Sequence, residues 1–161
     1  MFITQVVIHN DIVNEFKQKA LRAYPNECIS AILGKQVMDT LYIYALDDLS
    51  VNRTNPRGIS YQSAEEEIEA GTNLKYFGTI HTHPNAVLTH SYIDKKGFIA
   101  DQFKETNSCG FIDEILEDRI MGIMAIADRK KVFQWGLIFF NEQMQQIETL
   151  ISESKDHDEK R

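Results

Sequence analysis

The chain has 161 residues and a mass of 18.6 kDa, with 43% apolar and 25% charged residues, which suits one compact domain with a buried core. A formal net charge of −7 and a pI near 5.2 disfavour a nucleic-acid partner, which calls for a basic face. Residues 1–9 lack a basic n-region, a small-residue cleavage site and the length of a membrane span. With only Cys28 and Cys109, two free thiols are a simpler account than a disulfide, so a cytoplasmic protein without a membrane partner is expected.

Residues 1–9 read as a β-strand. A helix is predicted next, capped by Asp11, with an apolar stripe of Ile12, Phe16, Ala20 and Tyr24 and with Val13 and Leu21 beside it. Pro25-Asn26 breaks it. Residues 27–34 form a short apolar run suited to a buried strand, and residues 41–46 form its partner across a turn. Over 47–62 the composition shifts to Asp, Ser, Asn, Arg, Pro and Gly, which predicts a loop. Ser63-Ala-Glu-Glu66 is a capping box for a helix that stops near Gly71. A strand over 77–83 follows, then a helix from Ser91 to about Thr106, then an irregular acidic insert over 107–118. Residues 119–127 and 132–140 predict a hairpin around Asp128-Arg-Lys-Lys, whose basic run reads as a solvated turn. Asn141 is placed as the cap of a last helix carrying Met144, Ile147 and Ile151 on one face. Residues 152–161 are almost all polar or charged and predict a disordered tail, so the domain spans 1–151. There is no internal repeat. The fold class expected is α/β, with a central mixed, partly antiparallel sheet flanked by helices.

The chemistry concentrates in Gly78-Thr-Ile-His81-Thr-His83-Pro84 and in Ser91-Tyr-Ile-Asp94. On a strand, His81 and His83 share a face with Cβ atoms about 6–7 Å apart. Both imidazoles then reach one zinc ion. Pro84 cannot continue ladder pairing, so the pair stands at the mouth of the strand. Ser91 is a good helix N-cap, and Asp94 falls at the third helical position on the same side of the first turn. Two histidines and one aspartate leave a fourth tetrahedral position for water, as a catalytic zinc requires. His9, His90 and His157 stand apart and read as packed or surface residues. Cys28, with no adjacent basic partner, reads as a small core residue.

These residues resemble the JAMM (MPN-plus) zinc metalloproteases. That family's pattern is a glutamate at a strand start, then H-[ST]-H-P, then S-x-x-D after a short loop; the chain supplies Glu27, His81-Thr82-His83-Pro84 and Ser91-Tyr-Ile-Asp94 in that order. The resemblance covers roughly residues 1–150 and implies a cytidine-deaminase-like JAMM/MPN fold. It implies that His81, His83 and Asp94 bind zinc, that Glu27 is the general base and acid, and that Ser91 donates a hydrogen bond to the developing oxyanion. It also implies hydrolysis of a peptide or isopeptide bond after a ubiquitin-like protein. Where the family often has proline before the serine, this chain has His90, and its 107–118 insert holds one Cys and no His, which argues against a second zinc there. The chemistry fits the roles: zinc brings the pKa of a bound water to about 7, and amide hydrolysis still needs a proton shuttle. The apolar neighbours of Glu27 tend to raise a carboxylate's pKa towards that task.

Zinc nucleobase deaminases need H-x-E with P-C-x-x-C, and thermolysin-type proteases need H-E-x-x-H on a helix; neither occurs. Barrel hydrolases that use HxH need more ligands and a longer chain. Two rivals stay open. One is an MPN scaffold that keeps the fold only to bind partners. The other is a JAMM peptidase that acts on a cell-wall or other non-ubiquitin-like amide. Glu105, Asp113, Glu114, Glu117 and Asp118 either meet a basic face on a protein substrate or simply face water. The sequence leaves the oligomeric state unknown.

Overall fold

The computed structural model describes residues 2–49, 51–55, 58–61, 73–84, 120–129, 132–141, 143 and 145–153. Strand β1 (Gln5–His9) leads directly into helix α1 (Asn10–Ala23). Strands β2 (Ile29–Val37) and β3 (Thr40–Asp48) form an antiparallel hairpin, and β4 (Val51–Asn55) with β5 (Gly58–Tyr61) forms a second, separate one. Strand β6 (Lys75–His83) carries the histidines. The hairpin of β7 (Ile120–Arg129) and β8 (Val132–Asn141) follows, and β9 (Gln146–Ser152) ends the described chain.

Seven of these strands close into a barrel in the order β1-β3-β2-β6-β7-β8-β9, with β9 pairing back onto β1. The ring is mixed: β1 runs parallel to both β3 and β9, β6 runs parallel to β7, and the other neighbours are antiparallel. The mixed sheet agrees with the expectation, but it closes on itself, and α1 is the one helix among the described residues; the helices expected from Ser63 and from Ser91 lie outside them. All seven ring strands and α1 send apolar side chains into one main cluster, among them Val6, Ile32, Leu41, Ile80, Met124, Phe139, Ile147 and Phe16. Burying such a set is the main favourable term in folding, at about 25 cal/mol for each Å² of apolar surface removed from water.

Several elements differ from the sequence reading for identifiable reasons. The cap of α1 is His9, not Asp11: the His9 Nδ1 accepts the Asp11 backbone N–H at 3.0 Å, the bond that an N-cap side chain normally makes. Of the predicted stripe, Val13, Phe16 and Ala20 are buried, whereas Leu21 and Tyr24 are exposed. The polar run over 47–62, expected as a loop, completes β3 and then pairs as β4 and β5, since a ladder satisfies backbone groups whatever the side chains are. The last predicted helix is strand β9. Ile147 and Ile151 suit a strand face as well as a helix stripe, and the β-branched set Ile147, Thr149, Ile151 favours the strand. Asn141 still organises the approach, because its Oδ1 accepts the Gln143 and Gln145 N–H groups across the turn into β9. The Ser63 capping box, the Ser91 helix, the acidic insert and residues 154–161 of the tail lie outside the described residues.

Candidate metal centre

The facing of the histidines is set upstream of them. Ile32 on β2 and Cys28 just before it point into the main core, while Ile29, Ala31 and Leu33 belong to a second cluster on the opposite face with Tyr76. Directly opposed residues of an antiparallel pair share a face. His81 lies opposite Ile29 and is therefore on the outer face, as is His83 two residues on. Phe77 and Ile80, however, both point into the main core although they are three residues apart. The alternation slips by one between them, where the β2–β6 register also shifts and where Gly78 has φ of +143°. A Cβ on Gly78 would stand 1.9 Å from the Ile120 carbonyl oxygen of β7, so only glycine fits. Without the slip, the strand face that buries Phe77 would also bury His81 and His83.

The histidines arrive as a pair. Their Nε2 atoms are 3.2 Å apart and their rings meet edge to face with centroids at 5.0 Å. Two imidazoles on one tetrahedral zinc have nitrogens about 3.3 Å apart, given Zn–N bonds of about 2.0–2.1 Å. The described donors thus fit the metal, although one shared proton spans the same gap. His81 is 6% exposed, and its neighbours in register, Ile29 on β2 and Ile123 on β7, are both buried. An apolar wall of this kind lowers the local dielectric around a metal ligand. Among the described residues no group of three or more His, Cys, Asp or Glu side chains comes together as a metal site. Asp94 and Ser91, the third ligand and the oxyanion donor of the sequence reading, lie outside the described residues. Both belong to the connection that leaves β6 beyond the histidines and returns at Ile120.

Glu27 stands just before β2 and is 6% exposed, far more buried than a strand-start glutamate ordinarily is. The Thr82 N–H donates to the Cys28 carbonyl at 3.0 Å, so the β2–β6 register continues one step past Ile29 and His81. Glu27 immediately precedes Cys28 at this end of the pairing. Lys19 of α1 secures the same corner: its ammonium donates to the Ile29 carbonyl at 2.6 Å, Ser30 Oγ at 2.8 Å and Asp48 Oδ1 at 2.7 Å. The Ile29 carbonyl faces β3 where that strand ends, and the lysine satisfies it there.

Cys28 faces the main core, away from the histidine pair, and burial pushes its thiol above the usual 9.0. It is a packed residue, in keeping with the sequence reading. The sequence reading passed over Gly78, Thr82 and Thr54, which hold this corner. Alternation marks Thr82 as facing opposite to the two histidines, so once they stand on the outer face its buried hydroxyl needs a partner. Nothing local marks Thr54.

The sequence model of the family described as prokaryotic homologues of the JAB domain matches residues 9–137. No curated protein matches the chain. Among solved structures, a protein of Desulfitobacterium hafniense superposes with a TM-score of 0.63 at 16% identity, over 94% of this chain and 96% of that one. The crystal structure of a JAB1/MPN domain protein from Archaeoglobus fulgidus superposes with a TM-score of 0.50, also at 16% identity, over 92% and 97% of the two chains. At such identity the likeness concerns the fold. Among the described residues no helix is long and apolar enough to cross a membrane.

Proposed function

The chain belongs to the family of prokaryotic homologues of the JAB domain, and from that premise we propose that it is a zinc-dependent metalloprotease that cleaves a peptide or isopeptide bond after a ubiquitin-like protein. The family includes both catalytic peptidases and non-catalytic members. The observation that carries the catalytic reading is the imidazole pair, with Nε2 atoms 3.2 Å apart on the outer face of β6, together with a buried glutamate just before β2, the strand that pairs with β6. A scaffold that only binds partners has no use for two converging ring nitrogens and a desolvated carboxylate at one strand mouth.

In this reading His81, His83 and Asp94 hold zinc. When bound, zinc supplies Lewis acidity that brings the pKa of a water to about 7. Glu27 takes the proton from the attacking water and delivers it to the leaving amine, a transfer worth about 10² to 10⁴ in rate. Ser91 donates to the oxyanion as it forms. A net charge of −7 complements a modifier whose basic C-terminal tail leads to the scissile carbonyl.

The test is Glu27→Gln, which keeps the shape of the side chain and removes its proton chemistry. The variant should retain its zinc and fold, lose about 10² to 10⁴ in kcat, and co-purify with uncleaved conjugates from its native host. Chelation should abolish wild-type activity and added zinc restore it. Recovery of cell-wall fragments or a small amide in place of a ubiquitin-like protein would overturn the substrate. Equal partner binding with and without zinc, and no cleavage, would favour the scaffold.

A further inference from the structure

The peptide unit that follows Glu27 is gripped from two directions by threonine hydroxyls. Its carbonyl oxygen, on Glu27, accepts from Thr54 Oγ1 of β4 at 2.5 Å; its N–H, on Cys28, donates to Thr82 Oγ1 of β6 at 2.9 Å. Both atoms belong to one planar amide. Fixing them together fixes the plane, and with it ψ of Glu27 and φ of Cys28. Thr82 adds a third bond, from its own N–H to the Cys28 carbonyl. Its side chain is fully buried on the inner face, directly between the two histidines in sequence. In an ordinary antiparallel rung the Cys28 N–H would go to the main-chain carbonyl of Thr82. Here the hydroxyl takes it, so the rung nearest the site is closed by a side chain.

We propose that Thr82 and Thr54 are positioning residues that clamp this peptide plane and thereby aim the Glu27 carboxyl; the proposal rests on the reading of Glu27 as the proton shuttle. The strand that carries the two metal ligands then also sets the direction of the base, through the one residue of His81-Thr82-His83 that faces away from the metal. Strand β4 supplies the second grip from outside the barrel. A reacting group displaced by about 1 Å loses on the order of 100-fold in rate, which gives the clamp something to protect.

The test compares Thr82→Val, which keeps the shape and removes the hydroxyl, with Thr82→Ser, which keeps the hydroxyl, and with Thr54→Val. Zinc content, hydrogen exchange at the Cys28 amide, and kcat and KM on a fluorogenic C-terminal amide of a ubiquitin-like protein are measured for each. In Thr82→Val the Cys28 amide should exchange about 10-fold faster and kcat should fall about 10- to 100-fold, with KM and zinc content unchanged. Thr82→Ser should restore both, and Thr54→Val should lower kcat without loss of zinc. Unchanged kcat in Thr82→Val, or a loss that follows zinc and is not restored by serine, overturns the proposal. If even the wild type cleaves nothing, the catalytic reading falls separately. Cys28 exchange then decides the clamp alone, and a rate unchanged in Thr82→Val rules it out.

Discussion

Along β6 the inward and outward side chains meet different surroundings. Inward, Phe77, Ile80 and Thr82 are sealed in or against the main core. Outward, His81 and His83 bring ring nitrogens together between the buried side chains of Ile29 and Ile123. The two sets share a backbone, so any force that holds the inner face in register also holds the imidazoles. Which residues land on which face depends on Gly78, where the alternation slips. The H-x-H spacing guarantees that the histidines share a side. It does not decide that the side is the outer one.

The hardest break in this division is at the outer face. His81→Ala leaves a single imidazole on β6, and the purified variant should lose the zinc and the hydrolysis proposed for the wild type while its core cluster stays intact. Metal analysis showing zinc equal to the wild type would return the imidazole pair to a shared proton. Next comes the switch between the faces. Gly78→Ala forces a Cβ against the Ile120 carbonyl, and denaturant unfolding should show a loss on the order of 3 kcal/mol. A loss within about 0.5 kcal/mol, the range of ordinary surface changes, would mean that β6 and β7 can separate freely there.

The smallest effect belongs to the inner face. Burial raises the Cys28 thiol above its ordinary 9.0, and the Thr82 hydrogen bond and the Lys19 charge, which act the other way, do not cancel it. The folded chain then keeps this proton where the unfolded chain has lost it. Stability from this group is therefore full below about pH 9 and declines as pH rises from there towards the folded value. The stability gap between wild type and Cys28→Ala should narrow between pH 8 and pH 10 in urea titrations. A gap of constant size would show that the thiol does not contribute to the pH dependence.

The same contrast explains what could be read from the sequence. The first helix, the hairpin of β2 and β3, the histidine strand and the hairpin of β7 and β8 all follow from local periodicity and punctuation, and each is present. The spacing of His81 and His83 gave the shared face, and Pro84 marked the strand end. What escaped depends on partners far away in the chain. Strand β9 looked helical because Ile147 and Ile151 satisfy both periods, and its pairing with β1 decides between them. The β4–β5 hairpin has no apolar alternation to announce it. His9 displaced Asp11 as a cap because β1 ends where α1 begins, a junction that no single position encodes. The slip at Gly78 is visible only when Phe77 and Ile80 are seen in the same core.

The closure of the ring has a consequence for how the chain comes to be folded. Gln5 lies beside Glu148 and His9 beside Ser152, so the rung that seals the barrel joins the earliest described strand to the latest. Contacts of such sequence separation are entropically expensive to form and slow the search for the native topology. During synthesis β1 emerges long before β9, and until β9 follows, the outer ladders of β1 and β8 are open edges able to pair with another chain. The histidine strand sits on the far side of the ring from this seam, between β2 and β7. The histidine strand can therefore pair with both of its neighbours before the ring is sealed, while its durability waits on β9.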